Sequence, residues 1–252
     1  MISLEIQQRI DYAREIIRQA RHLVAFTGAG ISTPSGIPDF RSKGSGLWEQ
    51  YDPMEVASLT TFRNHPERFW EWKRPLMLKI WDAQPNPAHQ ALARLEANGR
   101  VRAVITQNID GLHQRAGSQN VLELHGSIES MSCPGCARKY PSLQFRPLLE
   151  QGRDFPRCPV CQRILKPEVV LFEEMLPRGT WQAAEEHCAR ADVILVAGSS
   201  LEVWPAAQLP EMAVSHGASL ILVNLSPTYL DTRAEVLLPL DVSEAIPQLA
   251  RL

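Results

Sequence analysis

Four of the five cysteines form two C-x-x-C pairs, Cys133 with Cys136 and Cys158 with Cys161, and 21 residues separate the pairs. Each such turn points two thiolates at one centre, and two turns complete the tetrahedron that Zn²⁺ adopts in closed structural sites. The spacing therefore predicts a structural zinc ribbon. A redox pair is the alternative, but it needs only one C-x-x-C. Cys188 stands alone and is expected to be a buried apolar thiol.

A glycine-rich turn follows the first short apolar run of the chain. Gly28, Ala29 and Gly30 come directly after the segment His22 to Thr27. Two glycines here let backbone N–H groups approach a pyrophosphate, as in dinucleotide sites. Thr33 stands where the full G-x-G-x-x-G pattern has its last glycine, so a plain tight turn remains an alternative.

Polar residues also follow four later apolar runs. They are Gln107, Asn108 and Asp110 after 101–106; His125 after 121–124; Gly198, Ser199 and Ser200 after 193–197; and Asn224 with Leu225 at the end of 219–224. Polar groups are costly to bury without partners, which favours a ligand pocket over plain packing. A histidine suits proton transfer near neutral pH, although a lone histidine is more often structural.

Helix-like and strand-like segments alternate along the chain. Strands are predicted at 22–27, 101–106, 121–124, 168–172, 193–197 and 219–224, and helices at 4–20, 88–98, 180–190, 205–215 and 242–250. This alternation predicts an α/β fold, a doubly wound and mainly parallel sheet with helices on both faces. Such sheets bind ligands at the carboxyl ends of their strands, where the polar residues above are expected to meet.

The composition excludes several other classes of function. The 252 residues carry 26 Lys+Arg against 28 Asp+Glu, a formal net charge of −2. That balance gives no electrostatic drive toward nucleic acid or an anionic membrane. The apolar runs are far shorter than the roughly 20 residues of a membrane span, and the first residues lack the pattern of a signal peptide. A cytoplasmic protein is expected, with either one large domain or one domain that carries a small insertion.

Seven motifs together resemble the sirtuins, the NAD-dependent protein-lysine deacylases. In the family's order and spacing they are GAGIS (28–32), GIPDFR (36–41), TQNID (106–110), LHG (124–126), the paired C-x-x-C, GSSLEVWPA (198–206) and VNL (223–225). They cover nearly the whole chain, and its short connections are similar to those of compact prokaryotic members.

The resemblance implies an organisation of the chain. Residues 1–41, 85–128 and 167–252 would form a Rossmann-like NAD-binding domain. Residues 42–84 would form a helical cap, and residues 129–166 the zinc ribbon. NAD would lie between the large domain and the small module that the two insertions build.

The resemblance also implies roles for individual residues. The amide oxygen of an acyl-lysine would attack C1′ of the nicotinamide ribose as nicotinamide leaves. His125 would be the general base that takes a proton from the ribose hydroxyl, so that the ribose oxygen can attack the acyl carbon. Asn108 and Ser32 would order the ribose and a water, and Asp110 with the backbone of Ile109 would hold the carboxamide. Phe40 would shield the reacting face. The full set expected to contact NAD is Gly28, Ala29, Gly30, Ser32, Thr33, Asp39, Phe40, Arg41, Gln107, Asn108, Ile109, Asp110, His125, Gly198, Ser199, Ser200, Asn224, Leu225 and Asp241.

The acyl-lysine peptide would add as a strand between 169–174 and 201–204, a form of β-augmentation. Val170, Phe172, Glu173, Glu174 and Val203 are the expected contacts. The chain departs from the family here, because Glu173 replaces the glycine of the usual Phe-Gly-Glu. With Glu174 and Glu202 nearby, acidic side chains would favour basic peptides.

The expected products are nicotinamide, O-acyl-ADP-ribose and free lysine. Transfer of ADP-ribose to protein and non-catalytic sensing of NAD or ADP-ribose are the alternatives. Family members specialised for succinyl or malonyl groups carry a tyrosine and, three residues later, an arginine in the cap; Lys73 and Leu76 stand there in this chain. Lysine lacks the planar fork of arginine. We therefore expect removal of acetyl groups, extending to longer apolar chains, with poor removal of succinyl. A monomer is expected.

Overall fold

Helices and strands alternate as the sequence predicts over most of the chain. The computed structural model describes residues 3–42, 44, 46–152 and 154–252. In chain order the elements are α1 Leu4–Gln19, β1 Leu23–Thr27, α2 Pro53–Val56, α3 Leu59–Asn64, α4 Pro66–Asp82, α5 Pro87–Ala97, β2 Val101–Thr106, α6 Leu112–Arg115, β3 Val121–Glu123, β4 Gly126–Ser132, β5 Lys139–Pro141, α7 Arg146–Gln151, β6 Lys166–Val169, α8 Arg178–Arg190, β7 Val193–Ala197, α9 Gln208–Ser215, β8 Ser219–Val223, β9 Val236–Leu238 and α10 Val242–Leu249.

Six strands form one parallel sheet in the order β3-β2-β1-β7-β8-β9. The central strands β1 and β7 are continuous apolar runs because helices cover both of their faces. In β1, Leu23 and Ala25 pack with α1, α5 and α10, whereas Val24 and Phe26 pack with α8 and α9. The predicted doubly wound sheet is confirmed.

The strand order reverses at β1. The chain runs from β1 to β2 on one side, while β7 lies on the other side of β1. In doubly wound sheets the crevice outside the carboxyl ends of the strands at such a reversal is the usual ligand site. The turns after β1, β2 and β7 therefore face one another at that edge.

A smaller module sits beside this edge. The helices α3 and α4 share one apolar core with a three-stranded antiparallel sheet of order β5-β4-β6, and Phe69, Trp70 and Met77 of α4 are fully buried in it. The short helix α2 contacts α3 and α4. The Trp70 indole N–H donates to the Leu165 carbonyl at 3.2 Å, which ties the cap helices to the ribbon.

Four strands differ from the sequence-based expectation. The strand predicted at 168–172 is β6, Lys166–Val169, and it pairs with β4 in the small antiparallel sheet rather than joining the parallel one. Its alternating half-buried and buried residues are typical of a strand with only one face covered. The strands β4, β5 and β9 were not predicted.

Among the described residues, no helix is both long and apolar enough to cross a membrane.

Candidate active site

A cleft of about 1090 Å³ opens between the carboxyl edge of the parallel sheet and the small module. Most of the residues predicted to bind NAD or substrate line it. They are Gly28, Ala29, Gly30, Ser32, Asp39, Phe40, Arg41, Gln107, Asn108, Ile109, Asp110, His125, Val170, Phe172, Glu173, Glu174, Gly198, Ser199, Ser200, Val203 and Asn224.

Three residues of the predicted NAD set lie outside the cleft lining. The Thr33 hydroxyl donates to the Gly30 carbonyl at 3.0 Å. Asp241 caps α10, where its carboxylate accepts the Ser243 N–H at 2.7 Å. The Leu225 side chain is exposed. An acidic residue just before a helix can cap the helix or contact a ligand, and the sequence alone does not distinguish the two roles.

The turns after β1 and β7 are packed backbone against backbone. The Gly30 N–H donates to the Gly198 carbonyl at 2.8 Å. Gly198 has φ +62, and a Cβ there would lie 2.3 Å from the Ile31 nitrogen. Only glycine fits this contact, and the two turns form a backbone cradle of the kind that admits a pyrophosphate. The cradle, the volume of the cleft and its polar lining fit a dinucleotide.

A buried hydrogen-bond cluster centred on Ser32 lies in the cleft wall. The Ser32 hydroxyl donates to Asp110 Oδ2 at 2.7 Å and accepts from Asn108 Nδ2 at 3.1 Å. His89 Nδ1 accepts the Asn86 N–H at 3.3 Å, so its Nε2 carries the proton that points at Ser32, 3.4 Å away. Burial raises the pKa of Asp110. The cluster fixes the orientation of the side chains that the sequence singled out.

His125 is held as a neutral base. Its Nδ1–H donates to the Gln107 carbonyl at 2.9 Å, which leaves the Nε2 lone pair free to accept a proton. Burial lowers the pKa of His125, and the Arg41 charge adds to this, while the hydrogen bond to Gln107 opposes it. The imidazole is therefore ready to accept a proton at neutral pH.

An aromatic wall lines the side of the cleft formed by the cap. The Phe40 ring stacks on Trp48 with centroids 5.0 Å apart, Trp48 stacks on Trp72 at 5.7 Å, and the edge of Phe172 meets Trp48 at 6.1 Å. All four rings line the cleft. Sequence reasoning missed Trp48, whose only signal was a tryptophan shortly after the GIPDFR motif. The stacked rings give that side of the cleft an apolar face.

Lys73 lines the cleft but is only 3% exposed. Among the described residues its ammonium has no hydrogen bond or ion pair, and its Nζ lies 5.6 Å from the centroid of the Trp72 ring. Burial lowers the pKa of Lys73 to about 7, and the charge of Lys166 acts in the same direction. Leu76 and Ile80 line the cleft from the same helix.

The acidic side chains at the predicted peptide edge are engaged within the protein. Glu174 Oε2 pairs with Lys166 Nζ at 2.8 Å, and Glu202 pairs with Arg41 at 3.2 Å. Glu173 Oε2 accepts the Thr60 N–H at 2.8 Å. Cations offset two of the three charges, and the preference for basic peptides stays a prediction that rests on Glu173 and the exposed Glu202.

The four paired cysteines come together in the small module. Their sulfur atoms all lie within 4.8 Å of one another, with Cys133 and Cys161 Sγ 3.2 Å apart and Cys136 and Cys158 Sγ 3.6 Å apart. Four thiolate donors at this spacing suit a tetrahedral zinc ion. Cys188 is buried in the large domain, where burial raises the pKa of its thiol to about 12, as expected for an inert apolar cysteine.

Five histidines make the fold sensitive to acid. Burial lowers the pKa of His22, His89, His113, His125 and His187, that of His89 to about 4. Below about pH 6.5 these histidines are protonated in the unfolded chain but stay neutral in the folded chain. The free energy of unfolding should therefore fall as the pH is lowered. His89 alone would account for about 3 kcal/mol between its unfolded and folded pKa values. Two acids act in the opposite direction: Glu123, whose pKa burial raises to about 7, and Asp110, whose pKa burial also raises. They are two groups against five.

The test is urea unfolding at pH 7.5 and 5.5 with the metal content checked at both. We expect lower stability at pH 5.5. The variant H216Q, which changes an exposed histidine, should show the same loss. A free energy of unfolding that stays constant between the two pH values would contradict the assignment of neutral buried imidazoles.

Comparisons with known proteins agree with this geometry. Residues 28–205 match the sequence profile of the Sir2 family. The chain is 46% identical over 245 residues to the NAD-dependent protein deacylase 2 of Archaeoglobus fulgidus, covering 97% of this chain and 96% of that protein. A Sir2 histidine-to-alanine variant with a deacetylated p53 peptide and 3′-O-acetyl-ADP-ribose superposes with a TM-score of 0.90 at 40% identity, covering 95% of this chain and 96% of that chain. Sir2Af2 bound to a myristoylated histone peptide superposes with a TM-score of 0.83 at 41% identity, covering 97% and 95%. The chain therefore belongs to the Sir2 family.

Proposed function

We propose that the protein removes acetyl groups from lysine side chains of proteins with NAD as co-substrate. One water is consumed, and the products are nicotinamide, O-acetyl-ADP-ribose and free lysine. The observation that carries this proposal is the pairing of a neutral His125, its Nε2 free, with the Ser32 cluster at the ligand edge of the sheet. The names of the relatives support it, since they are NAD-dependent deacylases and deacetylases.

The cleft residues divide the binding of NAD between them. The Gly28–Gly30 and Gly198 cradle takes the phosphates, with Arg41 beside it, and Asn224 lies toward the adenosine half. Asp110 and the backbone of Ile109 hold the carboxamide. Bound NAD supplies a ribose carbon, C1′, with a cationic leaving group. Asn108 and Ser32 order the ribose next to it.

His125 acts as the general base on a ribose hydroxyl. Its Nε2 takes the hydroxyl proton, and the oxygen thereby becomes able to attack the acyl carbon. The Gln107 carbonyl accepts from Nδ1–H at 2.9 Å and so stabilises the imidazolium that forms. The aromatic wall of Phe40, Trp48, Trp72 and Phe172 keeps water from competing for the reacting carbon.

The acyl-lysine peptide enters as a strand between 169–174 and 201–204. Val170 lies directly beside the base, because its N–H donates to the His125 carbonyl at 2.8 Å. Its own carbonyl is suited to accept the N–H of the acyl-lysine. The proposed division of the chain is an NAD-binding domain (1–41, 85–128 and 167–252), a cap (42–84) and a ribbon (129–166). In the structure the sheet of the ribbon extends beyond these bounds, because β4 begins at residue 126 and β6 ends at residue 169.

One incubation separates this function from its alternatives. The protein is mixed with NAD and an acetyl-lysine peptide, and nicotinamide, the peptide mass and the protein mass are measured. Deacetylated peptide with nicotinamide supports the proposal. ADP-ribose attached to protein would indicate a transferase, and no turnover would indicate a sensor.

The acyl preference is predicted from Lys73 and Leu76. Acetyl-lysine should be turned over with a kcat/KM at least about tenfold above that for succinyl-lysine. The apolar Leu76 stands where the succinyl-specific members carry the arginine fork, and Lys73, in the tyrosine position, is a point donor that cannot reproduce that fork. The variant K73M should raise kcat/KM for myristoyl-lysine several-fold at pH 7 and leave acetyl-lysine nearly unchanged, since a long chain must pack against a partly charged amine. Above pH 7 Lys73 loses its proton, so the gain should shrink by pH 8.5.

The matched control is K79M, which changes an exposed lysine of the same helix. It should change kcat/KM for neither myristoyl-lysine nor acetyl-lysine. Succinyl-lysine as the better substrate would contradict this prediction and identify Lys73 as the partner of its carboxylate.

We also propose that the protein acts as a cytoplasmic monomer that does not bind nucleic acid. The net charge of −2 supports the last point. Zinc, on this view, is structural, since all four ligands are cysteines and no open position remains for water.

A further inference from the structure

Glu173 has a backbone conformation that side chains seldom adopt. Its φ is +74, in the left-handed region where glycine is favoured. This is the position at which the chain departs from the glycine typical of the sirtuin pattern. A residue with a Cβ remains in such a conformation only when the surrounding structure holds it there.

The side chain of Glu173 stabilises this backbone conformation. Its Oε2 accepts the N–H of Thr60 at 2.8 Å, in the first turn of α3, where backbone N–H groups have no partner within the helix. The backbone next to it is joined to the same part of the cap. The Phe172 N–H donates to the Ala57 carbonyl at 3.1 Å, and the Leu59 N–H donates to the Phe172 carbonyl at 3.0 Å. Three hydrogen bonds therefore connect residues 172–173 with residues 57–60.

The other end of the same loop is bonded to the catalytic base. In residues 170–174, here called the substrate loop, the Val170 N–H donates to the His125 carbonyl at 2.8 Å. Glu174 closes the turn by accepting the Leu171 N–H at 2.8 Å and pairing with Lys166. The substrate loop thus spans from His125 to the cap, and Glu173 is its charged attachment to the cap.

We propose that Glu173 is a positioning residue that fixes the substrate loop to α3 and so sets the affinity for the acyl-lysine peptide. It acts through the Val170 and Phe172 backbone and touches none of the reacting atoms. This inference rests on the proposed deacetylation. It accounts for the replacement of a glycine, because the strain at φ +74 is offset by a charged hydrogen bond that glycine cannot make.

Two variants test the proposal. E173G removes the side-chain bond to Thr60 and relieves the strain, but it keeps the two backbone bonds of Phe172. E173Q keeps an oxygen that can accept the Thr60 N–H. We expect E173G to raise KM for an acetyl-lysine peptide about tenfold, with kcat and KM for NAD changed less than about twofold. E173Q should restore most of the peptide affinity. An unchanged peptide KM in E173G, or a kcat that falls with it, would overturn the proposal.

Hydrogen–deuterium exchange of residues 57–64 gives a second readout that needs no turnover. The amides there should exchange at least about tenfold faster in E173G than in the wild type, and E173Q should resemble the wild type. Equal exchange in all three proteins would overturn the attachment. If exchange responds as expected but the wild type does not deacetylate, the proposed function fails and the attachment itself stands.

Discussion

The variant H125A is expected to lose deacetylation by at least about 100-fold, the usual scale for removal of a general base, while it still binds NAD. Alanine removes the Nε2 lone pair but leaves the backbone carbonyl that accepts from Val170. The glycine cradle and the Ser32 cluster, which do not depend on the imidazole, remain in place. Activity is measured as nicotinamide release with an acetyl-lysine peptide, and NAD binding by calorimetry.

The matched control for this variant is H216A, which changes an exposed histidine of α9's C-cap and should keep full activity. Because burial lowers the pKa of His125, kcat/KM of the wild type should stay level as the pH falls from 8 to about 6.5 and decline only below that. Near-normal turnover by H125A would remove His125 from the role of base.

Loss of the zinc site should be equally damaging, by an indirect route. Cys133 and Cys158 lie in the same buried core as Phe69 and Trp70 of the cap, so unfolding of the ribbon would expose the packing face of α4. Structural zinc sites contribute of the order of 10 kcal/mol to folding. The variant C158A is expected to contain no zinc, to lose the aromatic wall of the cleft and to show activity at background.

Zinc content by atomic absorption, near-UV circular dichroism and deacetylation are measured together for C158A. The control C188A changes the buried cysteine of the large domain and should keep both zinc and most of the activity. A folded and active protein that contains no metal would contradict a structural role for zinc.

The sequence predicted the large domain well because its signals are local. The buried strands β1 and β7 read as apolar runs, and the polar residues after them follow from the rule that ligands bind at the carboxyl ends. The cysteine cluster was also predicted from the sequence, because each C-x-x-C turn by itself directs two thiolates toward one centre.

The sequence could not predict which distant segments of the chain contact one another. The placement of β6 beside β4 depends on contacts across the ribbon, and the bond from Glu173 to Thr60 joins residues 113 positions apart. The assignment of Asp241 to the adenosine site rests on the resemblance and stays a prediction; in the structure Asp241 caps α10. Trp48 belongs to the cleft wall because it stacks on Phe40 and Trp72, and the sequence did not predict these contacts.

The central claim is that the acyl group passes from lysine to ADP-ribose in this cleft. The most direct test follows a peptide with a ¹³C-labelled acetyl-lysine through the reaction with NAD by mass spectrometry. We expect one labelled O-acetyl-ADP-ribose and one nicotinamide for each lysine freed, and no nicotinamide without the peptide. Labelled free acetate as the first product, formed without consumption of NAD, would contradict it.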